Sequence, residues 1–283
     1  MFLIKTLIFI ISGILCQTAS YLNLSILIAI FYTKKVPAKP DLVLFYSRLI
    51  IDTAYPFCAS FNKFYYFLHL FTEKLVIRNA TFFMLWPIIP LGIVRSILML
   101  SINIDRLGAL YFPIFYFKYH RKFPISIIVI LTLTYILVDQ YVTFEYCNYI
   151  ISVPLDCFDF QCAVNQCVFE HWFYRDQVMY FSNGFLSILL CFRLYIWNTF
   201  KKAASSHALS RATRIAVLDS IVILCFHIIP LLVFRYFPTV NYYNFGPWTA
   251  VFKHSGFTVE AIILRKLLFR EKKVICIRIA PHF

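Results

Sequence analysis

Charge is what this sequence has least of. Charged side chains make up 14% of its 283 residues, and 13 acidic residues stand against 27 basic ones. With 61% hydrophobic and 19% aromatic residues and a mean hydropathy of +0.76, a water-soluble domain would hold far more apolar surface than one core can hide. The chain therefore reads as an integral membrane protein in contact with lipid. Glycine is scarce as well, six in all, and no internal repeat is visible. Both shortages count against a transporter built on paired broken helices. No HExxH or GxSxG occurs, and the acids needed for catalysis are not clustered on one side, so neither an enzyme nor a cofactor or metal site is expected. The net charge of +14 is spread over loops and forms no single patch, which excludes nucleic acid as a partner.

A bilayer-spanning helix needs roughly 20 apolar residues, which leaves room here for about seven. Seven apolar segments are legible, at 6–32, 42–70, 81–111, 125–144, 177–200, 215–234 and 249–269, followed by a short basic tail at 270–283. None has the period-two alternation of a barrel strand. The expected fold is all-α, a single seven-transmembrane helix bundle. The N-terminus imitates a signal peptide, with Lys5 before an apolar run and Ala19 near a cleavage-like position. The apolar character continues to Lys34 and Lys35, so an uncleaved first span is the favoured reading.

Cytoplasmic loops hold an excess of Lys and Arg. One set of connections with the tail carries sixteen, the other five, which predicts the N-terminus outside and the C-terminus inside. Asn79-Ala80-Thr81 is a glycosylation sequon in a connection assigned outside, whereas Asn23-Leu24-Ser25 lies within the first span. Cys147, Cys157, Cys162 and Cys167 cluster between spans four and five, also outside, where disulfides are favoured over zinc. Four cysteines allow three pairings, and sequence does not choose among them.

Ionisable groups at membrane depth face a partner or a cavity. Arg48 and Asp52 share a face of span two, four residues apart. At a rise of about 1.5 Å per residue, Asp52 and Arg95 both lie on the order of 16 Å from the inner boundary, which predicts their contact. Glu260 falls within reach of Arg48, and Asp219 within reach of Arg106. These charges read as buried pairs that fix helix register. Asp139, His227, Lys253 and His254, in the outer halves of their spans, are candidates for a ligand cavity. Trp86 and Trp248 are assigned to the interfacial aromatic belt.

The third span closes on DRLGALYFPI, where Asp105, Arg106, Ala109, Leu110 and Pro113 stand in the register of the rhodopsin-like DRYxAIxxPL pattern, with Leu107 in place of Tyr. Other positions depart from that pattern. TVEAIILRKLL in span seven has no NPxxY, His227-Ile228-Ile229-Pro230 stands where CWxP would lie, and no Cys opens span three to bridge the second outer loop. Together with LFYSRLIIDTAYPF at 44–57, the stretch at 209–230 and the stretch at 245–268, the chain resembles the nematode serpentine chemoreceptors of class BC (Srbc). The resemblance implies a G-protein-coupled chemosensory receptor in the plasma membrane of a sensory neuron cilium. It would bind an unidentified small molecule among the outer helix halves and signal through a heterotrimeric G protein inside. Arg106, held by Asp105, by Asp219 or by both, would be the switch facing that partner. A multi-pass transporter or a ligand-gated channel is the competing reading, and a channel of the insect type would have the opposite orientation.

Overall fold

Apolar runs of this length satisfy their backbone hydrogen bonds internally, as helices. The computed structural model describes residues 2–35, 42–72, 77–112, 114, 116, 125–155, 157–158, 160–200, 218, 221–237 and 248–278. Helix α1 (Phe2–Leu27) ends in a π turn at Ile28–Tyr32, and α2 (Val43–Phe71) contains the buried Pro56. Two helices, α3 (Ala80–Leu85) and α4 (Ile88–Tyr111), make up the third segment. They meet at Trp86 and Pro87, where the missing amide donor interrupts the helical ladder. Helix α5 (Ile125–Tyr141) ends in a second π turn at Val142–Tyr146, and the short α6 (Phe160–Ala163) lies in the connection that follows. Helix α7 (Gln166–Phe200), a π turn at Leu224–Ile228 running into α8 (Ile229–Tyr236), and α9 (Trp248–Arg278) complete the described helices.

Two boundaries differ from the sequence expectation. Helix α7 begins at Gln166, well before the expected start at Gln177, because the Asn165 side chain caps it by accepting from the Val168 amide at 3.0 Å. Helix α9 runs on to Arg278, through most of the stretch read as a separate tail.

Among the described residues the helices form a closed circuit: α1 against α2, α2 against α4, α4 against α7, α7 against the π turn before α8, that turn against α9, and α9 back against α1. Helix α5 stands outside this circuit, packed on α4 and otherwise exposing Leu, Ile and Val. Among the described residues three stretches, Leu3–Tyr32, Ala80–Tyr111 and Ile125–Tyr146, are by themselves long and apolar enough to cross a membrane. Helices α2 and α9 are more polar because they carry Arg48, Asp52, Lys63, Lys253 and Glu260, and the bundle takes those groups inside.

The connection between α5 and α7 is folded over one end of the bundle. Disulfides join Cys147 to Cys167 and Cys157 to Cys162, which resolves the three open pairings. Asn62 donates to the Phe158 carbonyl at 3.0 Å, the Thr81 hydroxyl donates to the Cys157 carbonyl at 2.7 Å, and Asn79 Oδ1 accepts from the Val153 amide at 2.9 Å. Phe158 packs edge-on against Tyr66 and His69. These contacts tether the connection to α2 and α3, the task that a cysteine opening span three would otherwise perform.

Candidate functional site

At mid-bundle, one turn of α2 sets Arg48 beside Asp52, with Nε 3.3 Å from Oδ2. Arg95 on α4 donates from Nε to Asp52 Oδ1 at 2.5 Å and from Nη2 to Glu260 Oε2 at 3.2 Å. Arg48 Nη2 donates to the other Glu260 oxygen. Two guanidinium groups and two carboxylates, each side chain at most 6% exposed, form a neutral quartet that ties α2, α4 and α9 together. Such an arrangement fixes register, because removing one member strands a buried charge.

Between this quartet and the Cys-bearing connection lies a cavity of about 160 Å³. Tyr55 from α2, Tyr180 and Asp176 from α7, His227 from the π turn, and Lys253 and His254 from α9 line it, and Phe160 of α6 forms part of its roof. A second chamber of about 100 Å³ shares Tyr55, Trp172, Asp176, Lys253 and His254 with it. The π turn alters the helical phase ahead of α8. It stacks His227 on Tyr180 at 4.4 Å between ring centroids. His227 and His254 are each 3% exposed, and His227 Nε2 and His254 Nδ1 have no hydrogen-bond partner. Phe257 packs against three residues of the cavity wall: its ring lies 5.5 Å from Tyr55, 5.8 Å from His227 and 5.9 Å from His254. The Arg95 guanidinium lies 4.2 Å from the Phe257 ring centroid, so Phe257 links the wall residues Tyr55, His227 and His254 to the quartet.

Of the four residues expected in a ligand cavity, three line it and Asp139 does not. Asp139 instead accepts from Arg175 Nη1 at 2.7 Å and lies 3.1 Å from His171 Nε2. Arg175 also reaches Asp176 Oδ1 through Nη2 at 3.0 Å and Nε at 3.3 Å, and Asp176 Oδ2 is 3.9 Å from Lys253 Nζ. By hydropathy alone Arg175, two residues ahead of the apolar run at 177–200, is a loop charge, and His171 has no partner close in sequence. The available signal was Asp139, a carboxylate at span depth that required a cation from another helix. Trp248 also departs from its assignment: it lines the cavity with its indole nitrogen buried instead of joining an interfacial belt. Trp86 packs against Phe82 and Phe144.

At the opposite end of α4, Asp105 Oδ1 accepts from the Tyr116 hydroxyl at 2.9 Å, and the adjacent Arg106 is half-buried. Asp219 lies outside the described residues. A polar clasp between α4 and α7 was not foreseen: Asn103 donates to Asn183 Oδ1 and meets Ser187 Oγ, both at 3.3 Å, and Asn183 donates to the Ser96 carbonyl at 3.3 Å. At the sequon, Asn79 has a left-handed backbone, φ 63°, and Thr81 is 3% exposed beneath the connection. No group of three or more His, Cys, Asp or Glu that could hold a metal occurs among the described residues.

A family model described as serpentine type 7TM GPCR chemoreceptor Srbc matches residues 1–272, nearly the whole chain. No curated protein matches it.

Proposed function

The chain belongs to the Srbc family of serpentine seven-transmembrane chemoreceptors, and from that premise we propose that it binds a small molecule in the cavity lined by His227, Lys253 and His254 and signals through a heterotrimeric G protein at the other end of the bundle. The observation that carries this reading is the half-open aromatic cavity with two unpartnered imidazole nitrogens, whose wall contacts, through Phe257, the charges that hold three helices together. A ligand shifts a two-state bundle only as far as it binds one state better than the other. Contacts on His227, His254 and Lys253 act on α9 and the π turn before α8, and through Phe257 on the Arg95–Glu260 contact.

In this reading the Cys-rich connection faces outside and the basic connections face the cytoplasm, as the charge bias favours. Asp105 and Arg106, with Asp219, form the switch that meets the G protein. The receptor resides in the plasma membrane, at a sensory neuron cilium. A glycan on Asn79 is attached before the connection closes over Thr81.

Cells carrying a G-protein reporter, exposed to a panel of small volatile and water-soluble compounds, should respond to at least one. Arg106→Ala should then abolish the response while surface expression is retained. Normal signalling from that variant would exclude the switch.

A further inference from the structure

We propose that the cavity takes a small aromatic monocarboxylate, held by the Lys253 ammonium and the two buried imidazole edges. This rests on the small-molecule reading of the same cavity. Size comes first. A cavity of about 150 Å³ lined by apolar groups takes up benzene, and this one is about 160 Å³ with walls that include Trp172, Phe173, Tyr180 and Phe226. A single six-membered ring with a one-carbon substituent fills it, and the flat walls suit offset or edge contacts with a planar ligand.

Charge decides the polar end. A cationic ligand needs a carboxylate able to accept it, and among the described residues Asp176 is the acid in the cavity wall. Its Oδ1 already accepts two hydrogen bonds from Arg175, and Asp139 behind it accepts from the same guanidinium. The cation in the wall stands differently. Lys253 Nζ is 3.9 Å from Asp176 Oδ2, beyond hydrogen-bond length, and lies over the rings of Tyr55 at 4.9 Å and Tyr180 at 5.9 Å. An ammonium has three donors and no acceptor; Tyr55 takes one and Asp176 lies at a long distance from another, which leaves donor capacity for a ligand carboxylate. His254 follows Lys253 on α9, and His227 approaches from the π turn; each carries a buried ring nitrogen with no partner. A neutral imidazole donates from one nitrogen, and a protonated one from both, so each ring can place an N–H on a carboxylate oxygen. Leaving such buried groups unpaired is costly, and satisfying them is where selectivity for the ligand comes from.

Equilibrium binding of radiolabelled benzoate, benzamide and benzamidinium to the full-length receptor in lipid nanodiscs tests this, because the three probes share one shape and differ in charge. Empty nanodiscs correct for partition into lipid. Benzoate should bind at least about tenfold tighter than benzamide, since a charge-assisted hydrogen bond is about twice as strong as a neutral one, and benzamidinium should bind weakest. Lys253→Gln should weaken benzoate by about ten- to a hundredfold and benzamide by less than about threefold. Retained benzamide binding shows that this variant is folded; if it is not, His254→Ala should show the same selective loss of benzoate. Preference for benzamide or benzamidinium, or benzoate binding untouched by the variants, overturns the ligand class and leaves the cavity a small-molecule site. No binding of any probe above empty nanodiscs overturns the aromatic monocarboxylate, and no response to the compound panel overturns the small-molecule reading itself.

Discussion

Neutralising Glu260 tests the mid-bundle quartet most directly. Each of its oxygens serves a different guanidinium, Arg48 on α2 and Arg95 on α4, and both arginine side chains are 3% exposed. Glu260→Gln keeps the shape but leaves two buried cations with Asp52 alone. Removing one partner of a buried ion pair costs about 3–5 kcal/mol. At about 2–4 °C per kcal/mol for a chain of this size class, the unfolding midpoint should fall by roughly 6–20 °C. Intrinsic fluorescence of the four tryptophans reports it in nanodiscs. A double change, Arg48→Met with Glu260→Leu, restores charge balance and leaves the Asp52–Arg95 pair at 2.5 Å intact. It should recover most of the loss, because a buried pair replaced by apolar groups of similar volume is often neutral. A Glu260→Gln midpoint within about 2 °C of wild type, less than one kcal/mol, would refute the quartet.

The Cys147–Cys167 bridge closes a longer loop, sequence separation 20, than Cys157–Cys162, separation 5. Serine at both ends of the first should lower the midpoint more than at both ends of the second, by a margin on the order of 1 kcal/mol in thermal unfolding. A Cβ on Gly256 would meet the Phe226 Cβ at 2.8 Å, so Gly256→Ala should cost about 1–3 kcal/mol. Gly108→Ala, whose Cβ would have 3.6 Å to Tyr116, is the tolerated control in the same assay. In the Cys-bearing connection, burial pushes the Tyr149 phenol up to about 12, and its hydroxyl donates to the Ala163 carbonyl at 2.5 Å. Its stabilising contribution is fully present below the unfolded value near 10 and is lost as pH rises through about 12, at up to about 1.4 kcal/mol per pH unit. Tyr149→Phe should flatten that alkaline loss in pH-dependent unfolding.

What the chain disclosed before its coordinates depended on how local the physics was. Apolar run length marks where helices run, and the rise per residue levels Asp52 with Arg95, groups that stand 2.5 Å apart. Helix rotation is not local. Arg175 looked like a loop charge because α7 begins earlier than hydropathy alone suggests, and only the cap at Asn165 and the partner Asp139 bring it inside. The π turn that aims His227 leaves no mark in hydropathy, and it determines which imidazole edge meets the cavity. The cysteine pairing was beyond sequence for the same reason: it follows from how the connection folds back on α2 and α3.

The quartet also sets a timetable for biosynthesis. Arg48, Asp52 and Arg95 leave the ribosome early and together carry one uncompensated positive charge, and the carboxylate that balances it, Glu260, follows Arg95 by 165 residues. At roughly 5–20 residues per second, that interval is on the order of 10–30 s. For that time α2 and α4 hold one unbalanced charge at span depth, which costs a few kcal/mol in lipid. A chain truncated before Glu260 should therefore be retained and degraded instead of inserting as a stable partial bundle.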